Sequence, residues 1–263
     1  MKKTTPPIKC NYHAHTIRCG HATGTEREYI EAAIRGGFRV LGFSDHVPYP
    51  FLDGHVSHMR MTLGQTRGYF DTLLRLKEEY KDQIEIHIGF EAEYDRESFP
   101  RLKAFLDDYP CEYLIQGQHF LAVEHEQVYS GMRMTDPDLL RAYADRLVAG
   151  MESGHFLYVA HPDLPDFRGS NAEYRRIMRP VCQAAKACGM PLEINLLGLL
   201  QGRAYPTERF FTLAASEGCK AIIGMDAHAP EMLSSETLYQ KGLAFAKKCK
   251  IPLVYQLDML ERV

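Results

Sequence analysis

Short apolar, β-type runs alternate with amphipathic stretches along nearly all of the 263 residues, and this alternation constrains the fold more than any other feature. The runs are KCNYHAH, FRVLGFSDH, IEIHIGFEAE, EYLIQGQHF, FLYVAHPD, PLEINLL, KAIIGMDAH and IPLVYQL. Helical patterns lie between them. The first, TEREYIEAAIRGG, opens with Thr25 and Glu28 at capping-box spacing and closes on Gly36 and Gly37. LGQTRGYFDTLLRLKEEY, DPDLLRAYADRLVAGMESG, AEYRRIMRPVCQAAKACG, TERFFTLAASEG and SSETLYQKGLAFAKKC follow. Pro180 interrupts the fourth of these, which predicts a helix that is kinked or built in two pieces. Repeated βα units predict a parallel sheet with helices outside it. Seven or eight units over this length suit a closed α/β barrel better than a doubly wound sheet, and no GxGxxG follows an early strand. No low-complexity segment or linker divides the chain, so residues 1–263 are expected to form one barrel domain.

The ends of these runs carry the chemistry. The first closes on His13 and His15, with His21 shortly after, and the second on Asp45 and His46. The third offers Glu91 and Glu93, the fourth His119, and the fifth His161 and Asp163. The sixth holds Glu193 and Asn195, and the seventh Asp226 and His228. In a parallel barrel the strand C-termini share one face, so residues more than two hundred positions apart converge there. Within the first strand, His13 and His15 point the same way because alternate residues share a face. One histidine at a strand end reads most simply as a hydrogen-bonded structural residue; seven of them with two acids on one face read as a metal centre. Imidazole with carboxylate suits Zn, Mn or Fe better than Ca or Mg, and the number of donors exceeds the four of one tetrahedral ion. Two to three divalent ions fit the count, and such a centre would attract a phosphate dianion. His55, His58, His87, His125 and His155 lie away from this pattern and are expected to have no metal role.

Composition narrows the remaining classes. The formal charge is -3 with no long basic run, which argues against a nucleic-acid-binding face. The leading MKKTTPPIKC lacks an apolar core, and no apolar stretch is long enough for a membrane span, so neither a secretory signal nor a membrane anchor is expected. Seven cysteines with no CxxC pair are expected to be reduced thiols of a cytoplasmic protein, Cys19 among them as a structural residue.

Taken together, HAH at 13–15, CGH at 19–21, SDH at 44–46, GFEAEY at 89–94, QHF at 118–120, AHPD at 160–163, LEIN at 192–195 and MDAH at 225–228 resemble the polymerase and histidinol phosphatase (PHP) superfamily, within it the bacterial histidinol-phosphatase branch. The resemblance covers nearly the whole chain. It implies a distorted (β/α)7 TIM-like barrel with a trinuclear metal centre at the C-terminal face of the strands. It implies that His13, His15, Glu91 and Asp226 hold one ion, that Glu91 bridges to a second held by His119 and His161, and that His21, His46 and His228 hold a third. Amidohydrolases also open on HxH, but they commonly carry a carboxylated Lys on the fourth strand, and EYLIQGQHF has none.

The activity implied is metal-dependent hydrolysis of a small phosphomonoester, L-histidinol phosphate in histidine biosynthesis, with Glu91, Asp226 and His228 in the catalytic set. Arg168 and Arg203 are expected at the substrate phosphate, and Arg60 is a further candidate on a loop, VPYPFLDGHVSHMRM, long enough to cover the pocket. Glu193 is expected either at the substrate amine or behind the ligands. Asp226 and a metal-bound water are the candidates for protonating the leaving oxygen. The rival readings are a PHP phosphoesterase for another small phosphomonoester and a metal-binding barrel without turnover.

Overall fold

A computed structural model describes residues 8–259. In chain order the elements are β1 (Lys9–Asn11), α1 (Glu26–Arg35), β2 (Phe38–His46), α2 (Thr66–Tyr80), β3 (Glu85–Ala92), α3 (Phe99–Leu106), β4 (Tyr113–Gln116), β5 (Phe120–Ala122), β6 (Gln127–Tyr129), β7 (Arg133–Met134), α4 (Pro137–Ser153), β8 (Asp166–Phe167), α5 (Asn171–Ala187), β9 (Leu192–Asn195), α6 (Leu196–Gln201), α7 (Glu208–Glu217), β10 (Ala221–Gly224), α8 (Pro230–Ser234) and α9 (Glu236–Cys249). No helix among the described residues is long and apolar enough to cross a membrane.

The barrel closes in seven staves. β1, β2, β3 and β4 pair in parallel in that order, and β9 pairs in parallel with β10. The fifth stave is the run around Val159, which bridges Gln116 on one side and Leu192 on the other without becoming a regular strand. Its backbone is bonded on both flanks: Ala160 N donates to Gln116 O, and Glu193 N donates to Val159 O, each at 2.9 Å. Closure comes from residues past β1 and β10, where His15 N donates to Ala227 O at 2.9 Å and Ala227 N to His13 O at 3.2 Å. The ring therefore holds seven βα units, a distorted (β/α)7 barrel. The run IPLVYQL is no eighth stave: Leu253 docks beside the foot of β10, bridging Ala221.

Helix boundaries follow their caps. Thr25 and Glu28 close the capping box expected for α1. α5 is one helix through Pro180, not two pieces; Tyr174, Ile177, Met178, Val181 and Cys182, on both sides of the proline, are buried, and the helix packs against α4 and α7. Strand residues pointing outward meet these helices. Residues pointing inward fill the barrel until its C-terminal rim, where the buried side chains become polar.

Candidate metal centre

The structure brings the nine candidate ligands to that rim. His13, His15, Glu91, His46, His119, His161 and Asp226 are buried there, His228 is half-buried, and His21 is exposed at its edge. Glu91 lies at the middle, with each oxygen facing a different set of imidazoles. Its Oε1 approaches His161 Nε2 at 2.7 Å and His119 Nε2 at 3.5 Å. Its Oε2 approaches His46 Nδ1 at 3.1 Å, His13 Nε2 at 3.4 Å and His15 Nε2 at 3.6 Å. Asp226 Oδ1 faces His15 Nε2 at 3.1 Å, His228 Nδ1 at 3.3 Å and His13 Nε2 at 3.4 Å. Glu91 Oε2 and Asp226 Oδ1 are both buried, yet neither accepts a hydrogen bond despite these neighbours. Ligand atoms of His13, His15 and Asp226, and likewise of His13, Glu91 and His161, all lie within 4.8 Å of one another. That arrangement fits a cation between them, and an uncompensated buried carboxylate oxygen would otherwise be costly.

The imidazoles are oriented from behind. His13 Nδ1–H donates to Glu193 at 2.8 Å, His119 Nδ1 to Glu93 at 3.2 Å, and His21 Nδ1 to Cys19 O at 2.9 Å. His228 Nδ1 donates to Asp226 O at 3.0 Å, and His15 Nδ1 lies 3.4 Å from Asp45. With Nδ1 carrying the proton, Nε2 is left as a lone-pair donor, as metal-binding histidines require. Asp226 is fixed likewise: Asn195 Nδ2 donates to its Oδ2 at 3.0 Å and to Glu193 Oε2 at 2.9 Å, turning Oδ1 to the centre. His161 and Asp226 both have positive φ, 29° and 47°, where the chain turns sharply out of its stave.

Charge in the cluster follows from this crowding. Burial works against ionised Glu91, but the imidazoles of His119, His13, His161 and His46 outweigh it and hold the carboxyl well below its usual range. Burial also opposes ionised Asp226, and His13, His228 and His15 overcome it. Burial opposes protonated His15, yet Asp226 and Asp45 push it up to about 9. His46 moves the other way, well below its ordinary value, through burial and then the charge of His15.

The expected phosphate and substrate contacts divide. Arg203 lines a cavity of about 300 Å³ over the cluster, with Met59, Tyr129, Leu197 and Tyr205. Arg168 is exposed and grips Asp166, with Nε to Oδ1 at 2.7 Å and Nη2 to Oδ2 at 3.0 Å. Arg60 differs from expectation. It is buried, held by Glu93 and Glu126 at 2.7 Å each, so it straps its loop down and offers nothing to a substrate. Glu193 is also not a wall of the cavity. It is fully buried, and its carboxylate is used by His13, Asn195 and the backbone N–H of His161 at 2.9 Å. His55, His87 and His125 pair with carboxylates away from the centre.

Two glycines that sequence reasoning passed over make room for the acids. A Cβ on Gly117 would lie 2.0 Å from Glu91 Oε1, and one on Gly224 would lie 1.7 Å from Glu193 Oε1. Both stand one stave away from the acid they admit, a relation visible only once strand order and register are known. Tyr129 and Tyr205 carried no sequence signal at all.

Comparisons with known proteins agree with this geometry. The PHP domain family model matches residues 11–196. The chain is 27% identical over 235 residues to a Deinococcus radiodurans protein named "Probable histidinol-phosphatase", covering 84% of this chain and 86% of that protein. It is 27% identical over 253 residues to the histidinol-phosphatase of Bacillus subtilis, covering 82% of this chain and 92% of that one. Its fold resembles a crystal structure of the Lactococcus lactis histidinol phosphate phosphatase complexed with zinc, L-histidinol and phosphate, with a TM-score of 0.73, 20% identity, and coverage of 95% of this chain and 98% of that chain.

Proposed function

Since the chain belongs to the PHP domain family, we propose that it is a metal-dependent phosphomonoesterase whose substrate is L-histidinol phosphate. The observation that carries this reading is the pair of orphaned oxygens, Glu91 Oε2 and Asp226 Oδ1, set among imidazoles beneath a cavity whose rim carries a guanidinium. His13, His15, Glu91 and Asp226 would hold one divalent ion, Glu91 with His119 and His161 a second, and His21, His46 and His228 a third. Zn, Mn and Fe suit this donor set. Bound ions of this kind polarise phosphoryl oxygens and lower the pKa of water to about 7.

The chain's own residues supply the rest. Glu193 and Glu93 hold His13 and His119 in the tautomer that points Nε2 inward. Arg203 directs Nε to Gln201 at 2.8 Å and Nη1 to Tyr205 at 2.7 Å, while its Nη2 takes no acceptor among the described residues. That leaves both Nη2 N–H groups, and the second on Nη1, for a phosphoryl oxygen. Arg168 reaches the same phosphate by exchanging Asp166 for it. Met59, Tyr129 and Leu197 enclose the organic part. Burial of the histidine cluster and its closing carboxylates keeps bulk water from competing for the phosphoryl group.

One observation favours a second reading, a different small phosphomonoester. Among the described residues, the only carboxylates in the cavity wall are Glu91 and Asp226, both given to the metals, so the wall holds no further acid for the amine of histidinol. A kinetic panel on metal-reconstituted protein tests both. Histidinol phosphate should show the highest kcat/KM of the panel; another ester ahead of it transfers the assignment, and absence of turnover on every ester, p-nitrophenyl phosphate included, removes phosphatase function altogether.

A further inference from the structure

Tyr205 is placed for a task that the metals and arginines leave open. It is 4% exposed yet lines the cavity, with its ring centroid 5.7 Å from that of His161. Its loop is fixed on two sides. Gly198 packs so closely that a Cβ there would lie 2.3 Å from Tyr205 O and 2.8 Å from its Cδ2. Asp163 accepts the hydroxyl of Thr207 at 2.8 Å and its backbone N–H as well. The phenol oxygen accepts Arg203 Nη1 at 2.7 Å, and its own proton has no protein acceptor among the described residues. A hydroxyl that accepts from a guanidinium still has one proton to give.

An alkyl phosphomonoester needs such a proton, because an alkoxide is a poor leaving group. Asp226 is badly placed to give one: its Oδ2 accepts from Asn195 and its Oδ1 is turned to the imidazoles of the cluster floor. We infer that Tyr205 is the general acid, donating its phenolic proton to the ester oxygen as the P–O bond breaks, with Arg203 holding the phenolate. Water adds to phosphorus and gives one proton to solvent. The P–O electron pair passes to the ester oxygen, which takes the proton of Tyr205, and the phenolate recovers a proton from solvent. A phenol's ordinary pKa of about 10 keeps the proton in place throughout the neutral range.

This inference rests on the phosphomonoesterase reading, and the test separates the two. Metal-loaded wild type and Tyr205→Phe are assayed on p-nitrophenyl phosphate, whose leaving phenolate needs no proton, and on histidinol phosphate and glycerol phosphate, whose alkoxides do. Tyr205→Phe should lower kcat on the alkyl esters about 10²- to 10³-fold more than on p-nitrophenyl phosphate, whose smaller loss reports only the hydrogen bond that Arg203 gives up. Metal content and Tm should match wild type. Equal loss on both classes would give Tyr205 a structural or binding role and overturn the inference, as would an alkyl-selective loss in Tyr129→Phe in place of Tyr205→Phe. A second measurement uses no variant: across aryl and alkyl esters, wild-type kcat should depend weakly on leaving-group basicity, and a steep dependence overturns the inference. Wild type inactive on all esters would instead defeat the broader reading.

Discussion

The floor of the cavity and its rim are built in opposite ways. On the floor, Glu91, His13, His15 and Asp226 sit at stave ends, buried, with His13 turned inward by Glu193 and Asp226 by Asn195. On the rim, Arg203 and Tyr129 stand on a loop and a hairpin, and outside it Arg168 is exposed; the directions of the two arginines depend on Tyr205 and Asp166. A floor side chain has one place to be; a rim side chain can exchange one polar partner for another at low cost. The floor should therefore decide whether there is a reaction, and the rim how well a particular ester is handled.

The strongest way to break that division is at Glu91. Gln keeps the shape but offers one neutral acceptor where two anionic oxygens face two sets of imidazoles. Glu91→Gln should lower metal stoichiometry and reduce turnover by about 10³-fold or more, a loss of roughly 4 kcal/mol or greater. Elemental analysis and kinetics on one preparation check it, and full metal content in an inactive variant would place Glu91 outside the ligand set. Arg203→Ala comes next. Removing a charge-assisted contact to the phosphoryl group should cost about 2–4 kcal/mol, or roughly 30- to 1000-fold in kcat/KM, with metal content intact. Arg203→Lys should recover part of the loss, because a point charge lacks the fork.

Much of the floor is legible in the amino-acid sequence, for a physical reason. A period of two along a strand and the shared direction of parallel strands carry His13, His15, Glu91, His119, His161 and Asp226 to one face whatever the loops do. The fifth stave is legible as a run, although only Val159 bridges its neighbours. The failures share a cause as well. Arg60 reads as a free loop arginine, but Glu93 and Glu126 approach it from another stave and from a hairpin, and no local pattern announces that. Glu193 alternates correctly with Asn195 yet stops one layer short of the cavity, since Gly224 on the next strand leaves space for it to turn to His13.

Proton competition sharpens the contrast on the floor alone. Without metal, His15 keeps its proton up to about pH 9, and neighbouring acids, acting against burial, raise His13 and His161 in the same direction. These raised values stabilise the metal-free fold fully below the ordinary histidine pKa of about 6.5, and that contribution is lost as pH climbs through 9. Tm of the metal-free protein should therefore fall across this window. Metal must displace the same protons, so apparent affinity should drop about tenfold per pH unit for each proton released on going from pH 9 to 7. Titrations of metal into chelator-treated protein at several pH values check this; a pH-independent affinity would show that the imidazoles are not the ligands.

Glu193→Gln tests the layer behind the floor. The amide still fills the space beside Gly224 but accepts weakly from His13 Nδ1–H, so His13 loses its fixed tautomer. Metal affinity should fall about 10- to 100-fold. The loss should be equal on histidinol phosphate and p-nitrophenyl phosphate, because Glu193 lies behind His13 and does not reach a substrate. A loss confined to histidinol phosphate would return Glu193 to the substrate amine.

The smallest effect lies at Asp166, and it settles how the rim works. Arg168 is bidentate on Asp166, but its side chain is 55% exposed, so the pair is worth no more than about 1 kcal/mol. A phosphate dianion above a cationic floor is a stronger partner than one carboxylate at the surface, so Arg168 can leave Asp166 when substrate arrives. That exchange carries the cost of breaking the pair. Asp166→Asn removes the competing charge and should lower KM for any phosphomonoester by up to about fivefold, the equivalent of about 1 kcal/mol, with kcat unchanged. Arg133 also touches Asp166, at 3.2 Å, but it is more exposed still, so its release adds little. The double variant with Arg168→Ala should erase the gain, because the gain exists only if Arg168 is the group set free. Unchanged KM in Asp166→Asn would mean that Arg168 stays on the surface and that Arg203 alone of the two arginines holds the phosphate.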